Sequence, residues 1–543
     1  AHHHSRLEAN PDYAKTHETI WAARVSRLRE SRHALADPDG HDLCESRHVY
    51  VGSNAEFDYP VLIDPRILQE HAHILGDSGS GKTSLGIAPL ARQLMALPNT
   101  SVVILDLKGD MTLFEAIREE ANHQHLPLRW FTSETQNPTF IFNPFLQQHM
   151  QDLETHEKAE VLVQSLGLDY GPGYGREHFV KLTRAVFARL LQDGDIRSFK
   201  QMQRRLPQLP GLVQDLGLTK RQLDDADEAV TSINLLASIR ALNVTADTPG
   251  VPLAAFNQRI DMASVVNQPK VIYFYLPASL HSASVREIGN LALFSLLTAA
   301  RRRRHSENAP DHHVYVFIDE FQQLVSQSLE VVLAQARSLG LGVILCNQTI
   351  SQLKTPSVDL VPVVQANTRF KQFFSASDLA EQEALIKASG ETIYHMADWH
   401  GTAQWLHAGL SIDDLFDEKE VHVSEKRGER LLRNDIIQTS DLAGHSIVQI
   451  TRGDGYTQFG GFPFPLRSEH HVSLNTYKMR ARKELTGEWT GQRSGTINAS
   501  TLSATTDSAP SKPRVTTAVV GREKTNSATP PSTIKETSNR DNA

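Results

Sequence analysis

Cysteine is nearly absent from this sequence: Cys44 and Cys346 are the only two in 543 residues. A disulfide scaffold or a thiolate metal centre needs more of them at closer spacing, so neither is expected, and the composition suits a reducing compartment. An excess of basic charge is missing as well. With 55 Lys and Arg against 63 Asp and Glu, the formal net charge is −8. That excludes a protein that coats DNA with its whole surface, so any nucleic-acid contact has to be local, in a charged pore or groove. No run reaches the ~18–20 apolar residues of a membrane span. The richest helical stretch, 288–300, is too short, and no signal peptide precedes it. The expected location is cytoplasmic. The chain starts with Ala1 and His2-His3-His4 rather than Met, so it reads as a fragment or as carrying an added segment, from which an anchor could have been removed.

What is present is an ordinary globular balance, 40% hydrophobic and 22% charged residues, in a length that suits two to four domains. Histidine is frequent, but His71/His73, His312/His313 and His470/His471 have no partners at metal-ligand spacing and read as surface or strand-edge side chains.

From about residue 48, short apolar runs end at polar loops. Residues 73–75 precede a glycine loop, and 102–105 precede Asp106. Residues 271–276 form another run. Residues 314–318 precede Asp319, and 343–346 precede Asn347-Gln348. Near-continuous apolar strands separated by helical patterns predict an α/β fold, a parallel sheet flanked by helices on both faces. Residues 150–245 break the pattern: Phe179, Leu182, Val186 and Leu190 recur at helical spacing, as do Val230, Ile233 and Leu236, which predicts an inserted all-α domain. Ser284-Val285-Arg286-Glu287 matches a capping box opening a helix that ends in Arg301–Arg304. Residues 13–36 suit an amphipathic helix. From about 486 the chain is rich in Ser, Thr, Asn and Pro and poor in large apolar residues, a composition expected to stay disordered. The predicted organisation is an N-terminal segment (1–47), a nucleotide-binding domain (48–149 and 246–485), the α insertion (150–245) and a disordered tail (486–543).

The loop Gly76-Asp77-Ser78-Gly79-Ser80-Gly81-Lys82-Thr83, followed by Ser84, sits between a strand and a helix. Glycines let backbone N–H groups close on phosphate oxygens, and the following helix adds its positive end. Lys82 is expected to reach the β- and γ-phosphates of ATP, and the Thr83 hydroxyl to ligate Mg²⁺. Asp319-Glu320, at the carboxyl end of an apolar strand, supply a second carboxylate for Mg²⁺ (Asp319) and a group to polarise the attacking water (Glu320). Gln348 ends another strand, where an amide senses the γ-phosphate or the lytic water. Asp106, with Lys108 and Asp110, suits either the Mg²⁺ shell or a structural turn. The transition state calls for an arginine, often from a neighbouring subunit. Arg337 and Arg369 are the candidates, with a plain surface role open for either. Arg301–Arg304 suit either DNA phosphates or a solvated helix end beside the helix dipole.

The loop 76–83, Asp106–Asp110, Phe142-Asn143-Pro144-Phe145, Tyr273–Pro277, Asp319-Glu320-Phe321 and 342–353 occur in an order that resembles the type IV secretion coupling proteins, the conjugative DNA-transfer ATPases of the FtsK–HerA superfamily. The resemblance covers roughly 48–415. It implies a RecA-like motor carrying an all-α domain, and a homo-hexamer threading DNA through a central pore at the expense of ATP. It also implies a relaxase–DNA complex received by the helical domain, secretion-channel partners, and a position at the inner face of the cell membrane. In that family an arginine before the glutamine strand acts in trans, which matches Arg337. The departures are the lack of membrane helices and of any assignable motif at 415–490. A HerA-like DNA-processing motor is the alternative, and a nucleotide-stabilised adaptor without turnover is a third.

Overall fold

The computed structural model describes residues 48–55, 58, 60–168, 176–192, 195–212, 227–304, 311–326, 328–356, 358–399, 421–451, 460–468, 470 and 474–483. The segments read as an amphipathic helix at 13–36 and as a disordered tail lie outside them.

Thirteen strands are described: β1 (Val49–Asn54), β2 (Pro60–Ile63), β3 (Ala72–Leu75), β4 (Thr100–Asp106), β5 (Leu128–Thr132), β6 (Val271–Tyr275), β7 (His313–Asp319), β8 (Leu341–Asn347), β9 (Phe370–Phe373), β10 (Glu391–Trp399), β11 (Val421–Glu429), β12 (His445–Ile450) and β13 (Phe464–Arg467). Eleven form one sheet in the order β2-β1-β13-β12-β9-β3-β8-β7-β4-β6-β5. The stretch from β9 to β5 is parallel throughout. From β9 outward through β12, β13, β1 and β2 the pairing is antiparallel. The apolar runs explain the parallel part. Every residue of β3, β4 and β8 is buried, as a strand covered on both faces requires. The carboxyl ends of β3, β4, β7 and β8 therefore share one edge, where α/β sheets place their ligands. The fold is the RecA-like P-loop type. β12 and β13 extend the sheet through pairings between segments distant in the chain, and β10 with β11 forms a separate ribbon.

Between β5 and β6 all described elements are helical, among them α3 (Thr155–Ser165), α4 (Arg176–Gln192), α5 (Phe199–Arg205) and α6 (Asp227–Ser238); α1 (Ala88–Met95) and α2 (Met111–His123) precede them on the sheet. Asn143 fastens the two ends of this helical segment. It is fully buried, and its amide donates to Arg197 O at 2.8 Å and Val244 O at 3.0 Å, while its Oδ1 accepts from Phe145 N–H at 2.9 Å. Each such bond is worth roughly 1 kcal/mol, and a buried carbonyl left without its donor costs about 1–3 kcal/mol.

Two sequence expectations change. The helix after β6 is α7 (Ala278–Arg304), 27 residues long, so Ser284 and Glu287 lie inside it and form no cap. Glu287 is drawn inward instead, accepting from Ser232 Oγ on α6 at 2.6 Å. The histidines expected at the surface or strand edge are partly core groups: His71, His73 and His312 are each 1% exposed. Burial holds all three neutral, with pKa values lowered to about 4. Arg301–Arg304, in the last turn of α7, are tied to protein partners: Arg301 to Gln335, Arg302 to Asp152, Arg303 to Val266 O at 2.7 Å and Arg304 to Ser338 O at 3.1 Å. Among the described residues no helix is long and apolar enough to cross a membrane, and no His, Cys, Asp and Glu cluster could hold a metal by itself.

Candidate nucleotide site

β3 reaches the sheet edge at Leu75, and the chain turns at once. Gly76 has a φ of 153°, and a Cβ there would lie 2.6 Å from Ser80 Oγ and 3.0 Å from Phe374 Cβ. Gly81 has a φ of 99°, and its Cβ would lie 2.8 Å from Leu85 Cδ1. Only glycine accepts both demands. From Lys82 a helix runs to Met95, its opening Lys82–Ile87 wound in wider π-type turns before α1. Its first N–H groups face the loop, as anion binding requires. Lys82 is 6% exposed, and its amine donates to the loop's own carbonyls, Gly76 O at 2.5 Å and Asp77 O at 3.1 Å. Asp77 is held from outside: Ser375 and Ser377 donate to its carboxylate at 2.8 and 3.0 Å. Ser78 and Gly79 are exposed at the tip. Ser84 Oγ points back to Gly81 O at 3.5 Å.

β7 delivers Asp319 to the same edge. Thr83 Oγ1 donates to its Oδ2 at 3.1 Å, and Glu320 N–H to its Oδ1 at 3.1 Å. Burial first, then the charge of Glu320, push the Asp319 pKa up. Cys346, directly opposite on β8, also bonds this carboxyl, and burial raises its thiol well above the ordinary value. A buried carboxylate short of cations, next to a threonine hydroxyl, is a hard-oxygen pair of the kind Mg²⁺ takes.

Glu320 has a φ of 58°, rare for a residue with a Cβ. Its Oε2 accepts from Gln322 Nε2 at 2.5 Å and faces Gln348 Nε2 at 3.5 Å. Gln348 also links the strand ends through its backbone: its carbonyl accepts Gly76 N–H at 3.2 Å, and its N–H donates to Gln352 Oε1 at 3.1 Å. Lys82, Thr83, Asp319, Glu320 and Gln348 thus gather around one loop.

Asp106 takes the turn alternative. Its two oxygens accept N–H groups of Lys108, Gly109 and Asp110 at 3.1, 2.8 and 2.7 Å, and the Tyr273 hydroxyl at 2.7 Å. Burial and the charge of Asp319, its register partner on β7, raise it to about 7.

Neither arginine joins this gathering. Arg337 precedes β8, whose seven residues put roughly 20 Å between it and Gln348 at ~3.3 Å per residue. Arg337 is 55% exposed and lies 3.0 Å from Glu70 Oε1. Arg369 is 9% exposed, lies 2.6 Å from the same oxygen, and donates to Thr451 O at 2.9 Å.

Sequence reasoning missed Ser375 and Ser377, Cys346, Tyr273, and Glu381, which accepts Ile350 N–H at 2.5 Å beside the glutamine loop. The serines follow β9, whose Lys371 and Gln372 break the apolar run that marked β7 and β8, so that signal does not reach them.

Residues 49–164 match the family model described as the central domain of helicase HerA. This stretch of the chain is similar to that domain. The matched residues run from β1 into α3 and include the whole phosphate loop. No curated protein matches the chain. Among solved structures it is similar to the bacterial conjugative coupling protein TrwB in its unbound form, with a TM-score of 0.53 and 13% identity over 79% of this chain and 90% of that one. Plasmid coupling protein TrwB with the ATP analogue ADPNP gives 0.51 and 13% over 81% and 92%, and TrwB with ADP and Mg²⁺ gives 0.50 and 13% over 77% and 89%. At this identity the likeness is one of fold. It extends past residues 49–164 to most of the chain.

Proposed function

We propose that the chain is an ATP-driven DNA translocase of the conjugative coupling type, using ATP with Mg²⁺. The observation that carries the reading is the hydrogen bond from Thr83 to Asp319, made beside a phosphate loop that Gln348 and Glu320 also border. Support for the coupling type comes from the likeness to TrwB over four-fifths of the chain, and from TrwB having been crystallised with ADPNP and with ADP and Mg²⁺.

In this reading the amides from Gly76 to Thr83 hold the β- and γ-phosphates, and Lys82 exchanges its loop carbonyls for phosphate oxygens. Thr83 and Asp319 hold Mg²⁺, which when bound neutralises charge on the β- and γ-oxygens. Glu320 orients the attacking water and takes its proton, and Gln348 contacts the γ-phosphate or that water. Arg337, exposed and far from its own site, completes the site of a neighbour in a hexameric ring, with DNA in the central pore. The helical segment fastened by Asn143 receives the relaxase complex, and the ring works at the inner face of the membrane beside secretion-channel components. The domain limits proposed remain 48–149 with 246–485 for the motor and 150–245 for the insertion.

A HerA-like DNA-processing motor is the second reading, favoured by the match at 49–164. Turnover of ATP by the full chain, measured with and without DNA and against Lys82→Ala, tests the motor. DNA-stimulated hydrolysis absent in Lys82→Ala is the expected result, and no DNA-dependent turnover overturns it. Co-purification with a relaxase or with a nuclease separates the two readings.

A further inference from the structure

A cavity of about 470 Å³ opens beside the phosphate loop, within the ~300–1,000 Å³ common for small-molecule sites. One end is the loop itself, with Gly79, Ser80, Gly81, Thr83 and Ser84. One wall is the following helix, with Leu85, Ala88 and Pro89, and the next is the start of α2, with Thr112, Leu113 and Ala116. The outer wall comes from far along the chain: Ala443 and Gly444 before β12, His470, and Tyr477 and Arg480 of α12, where α8 (Ser328–Ala336), α9 (Val361–Asn367), α10 (Leu379–Ser389) and α11 (Arg433–Asp441) intervene in the chain and α12 is Leu474–Ala481.

Charge distinguishes the two ends. At the loop end, the backbone amides at the head of the helix favour anions. Of the charged groups lining the rest, the Asp110 carboxylate is engaged by the Thr112 and Leu113 N–H groups at 2.8 and 3.3 Å, and the two guanidinium groups are already neutralised. Arg92 pairs with Glu120 at 2.9 Å, and Arg480, 7% exposed, pairs with Glu119. Lys483 adds a 2.5 Å pair to Glu115, fastening α12 onto α2. An occupant spanning the space therefore has one anionic end and one neutral, largely apolar end.

We infer that this cavity takes the nucleoside of the triphosphate, and that α12 closes it, with Tyr477 the residue that sets affinity for the base. The inference rests on the nucleotide reading of the loop. The apolar walls strip water from one face of a planar base, and among the described lining residues Tyr477 and His470 carry the aromatic rings that could cover the other, the phenol of Tyr477 standing on the helix that forms the outer wall. Stacking on such a ring is worth roughly 1–3 kcal/mol per base in nucleic-acid sites.

The test is calorimetric titration of the full chain with Mg²⁺–ATP and, separately, Mg²⁺–tripolyphosphate, which has no nucleoside. Tyr477→Ala is expected to weaken ATP about 10-fold, equivalent to about 1.4 kcal/mol, and to leave tripolyphosphate within about 2-fold. Tyr477→Phe, which keeps the ring, is expected to restore ATP. Arg480→Ala, which unfastens α12, is expected to share the selective loss. ATP affinity unchanged in Tyr477→Ala, or both ligands weakened alike, overturns the inference while the loop reading stands. If wild-type chain binds neither ligand, or if Lys82→Ala leaves both unaffected, the loop reading fails and this pocket with it.

Discussion

The hydroxyl of Thr83 donates to the carboxylate of Asp319 at 3.1 Å, across 236 residues of chain. The contact joins the first turn after the phosphate loop to the end of β7, and it has a cost in the empty protein. Asp319 is buried, and its raised pKa means that the fold disfavours the ionised form. A carboxyl with a raised folded pKa binds more protons folded than unfolded, so stability falls as pH rises from its ordinary value through the folded one. Asp319→Asn removes that penalty. Its ligand-free stability at pH 7, measured by chemical denaturation, should be no lower than wild type. Its ATP affinity should lose at least ~10-fold of the gain that Mg²⁺ gives the wild type, the scale of loss seen when metal-site groups are altered.

Glu320 stands in a left-handed backbone conformation at φ 58°, ψ 46°. Holding a residue with a Cβ there costs on the order of 1–3 kcal/mol and persists where the site needs the side chain. Glu320→Gly should therefore melt higher than wild type while losing turnover. Glu320→Gln, which keeps the strain and the shape, should bind ATP normally and hydrolyse it at least ~100-fold more slowly, the usual worth of proton-transfer help. Equilibrium binding together with steady-state turnover checks both variants. Normal hydrolysis by Glu320→Gln assigns the water to another group.

The parallel core and the phosphate loop were legible in the sequence because their signals are local: β4, β7 and β8 are continuous apolar runs, and the loop needs glycine at 76 and 81 for reasons of backbone geometry. What was not legible depends on distant partners. Glu287 sits in a capping-box pattern, yet Ser232, 55 residues earlier, draws it into a helix interior. The pattern around His71 suits a surface or strand-edge side chain, but its two ring nitrogens are satisfied by Val343 N–H and Leu333 O, each at 3.0 Å and some 260–270 residues on. The strands at 445–467 carry no motif because their meaning lies in pairing with β9 and β1. The nucleoside cavity was invisible because its outer wall comes from the last described helix.

His73 offers a second titration. It is fully buried in β3 and bonded to Asn347 Oδ1 at 2.6 Å, and burial lowers its pKa to about 4. Above pH 6.5 it is neutral folded or unfolded. Between 6.5 and about 4 only the unfolded state takes up the proton, so stability is lost across that window as pH falls. Full passage amounts to on the order of 3 kcal/mol at ~1.36 kcal/mol per unit. His73→Gln keeps a donor for Asn347 and does not titrate. The stability advantage of wild type over this variant should be greatest above pH 6.5 and shrink as pH falls to 4, as followed by denaturant unfolding at fixed pH values. A constant gap means that folding leaves the titration of His73 unshifted.

Arg337 and Arg369 share one carboxylate oxygen of Glu70, at 3.0 and 2.6 Å, yet their surroundings assign them different work. Arg369 is buried and also holds Thr451 O, so Arg369→Ala strands that carbonyl and should cost about 1–3 kcal/mol of stability. Arg337 is mostly in solvent, where such a pair is worth no more than ~1 kcal/mol, so Arg337→Ala should melt close to wild type. If Arg337 serves the neighbouring subunit, Arg337→Ala alone is inactive but keeps an intact phosphate loop, and Lys82→Ala alone is inactive but keeps the arginine. Mixed assemblies set a good arginine against a good loop, so the mixture should turn over ATP faster than the sum of the separate variants. Arg369→Ala mixed with Lys82→Ala should show no such recovery beyond what its folded fraction allows. Recovery with Arg369→Ala and none with Arg337→Ala would reverse the assignment, since only a group acting across the subunit boundary can be restored by a partner whose own site is dead.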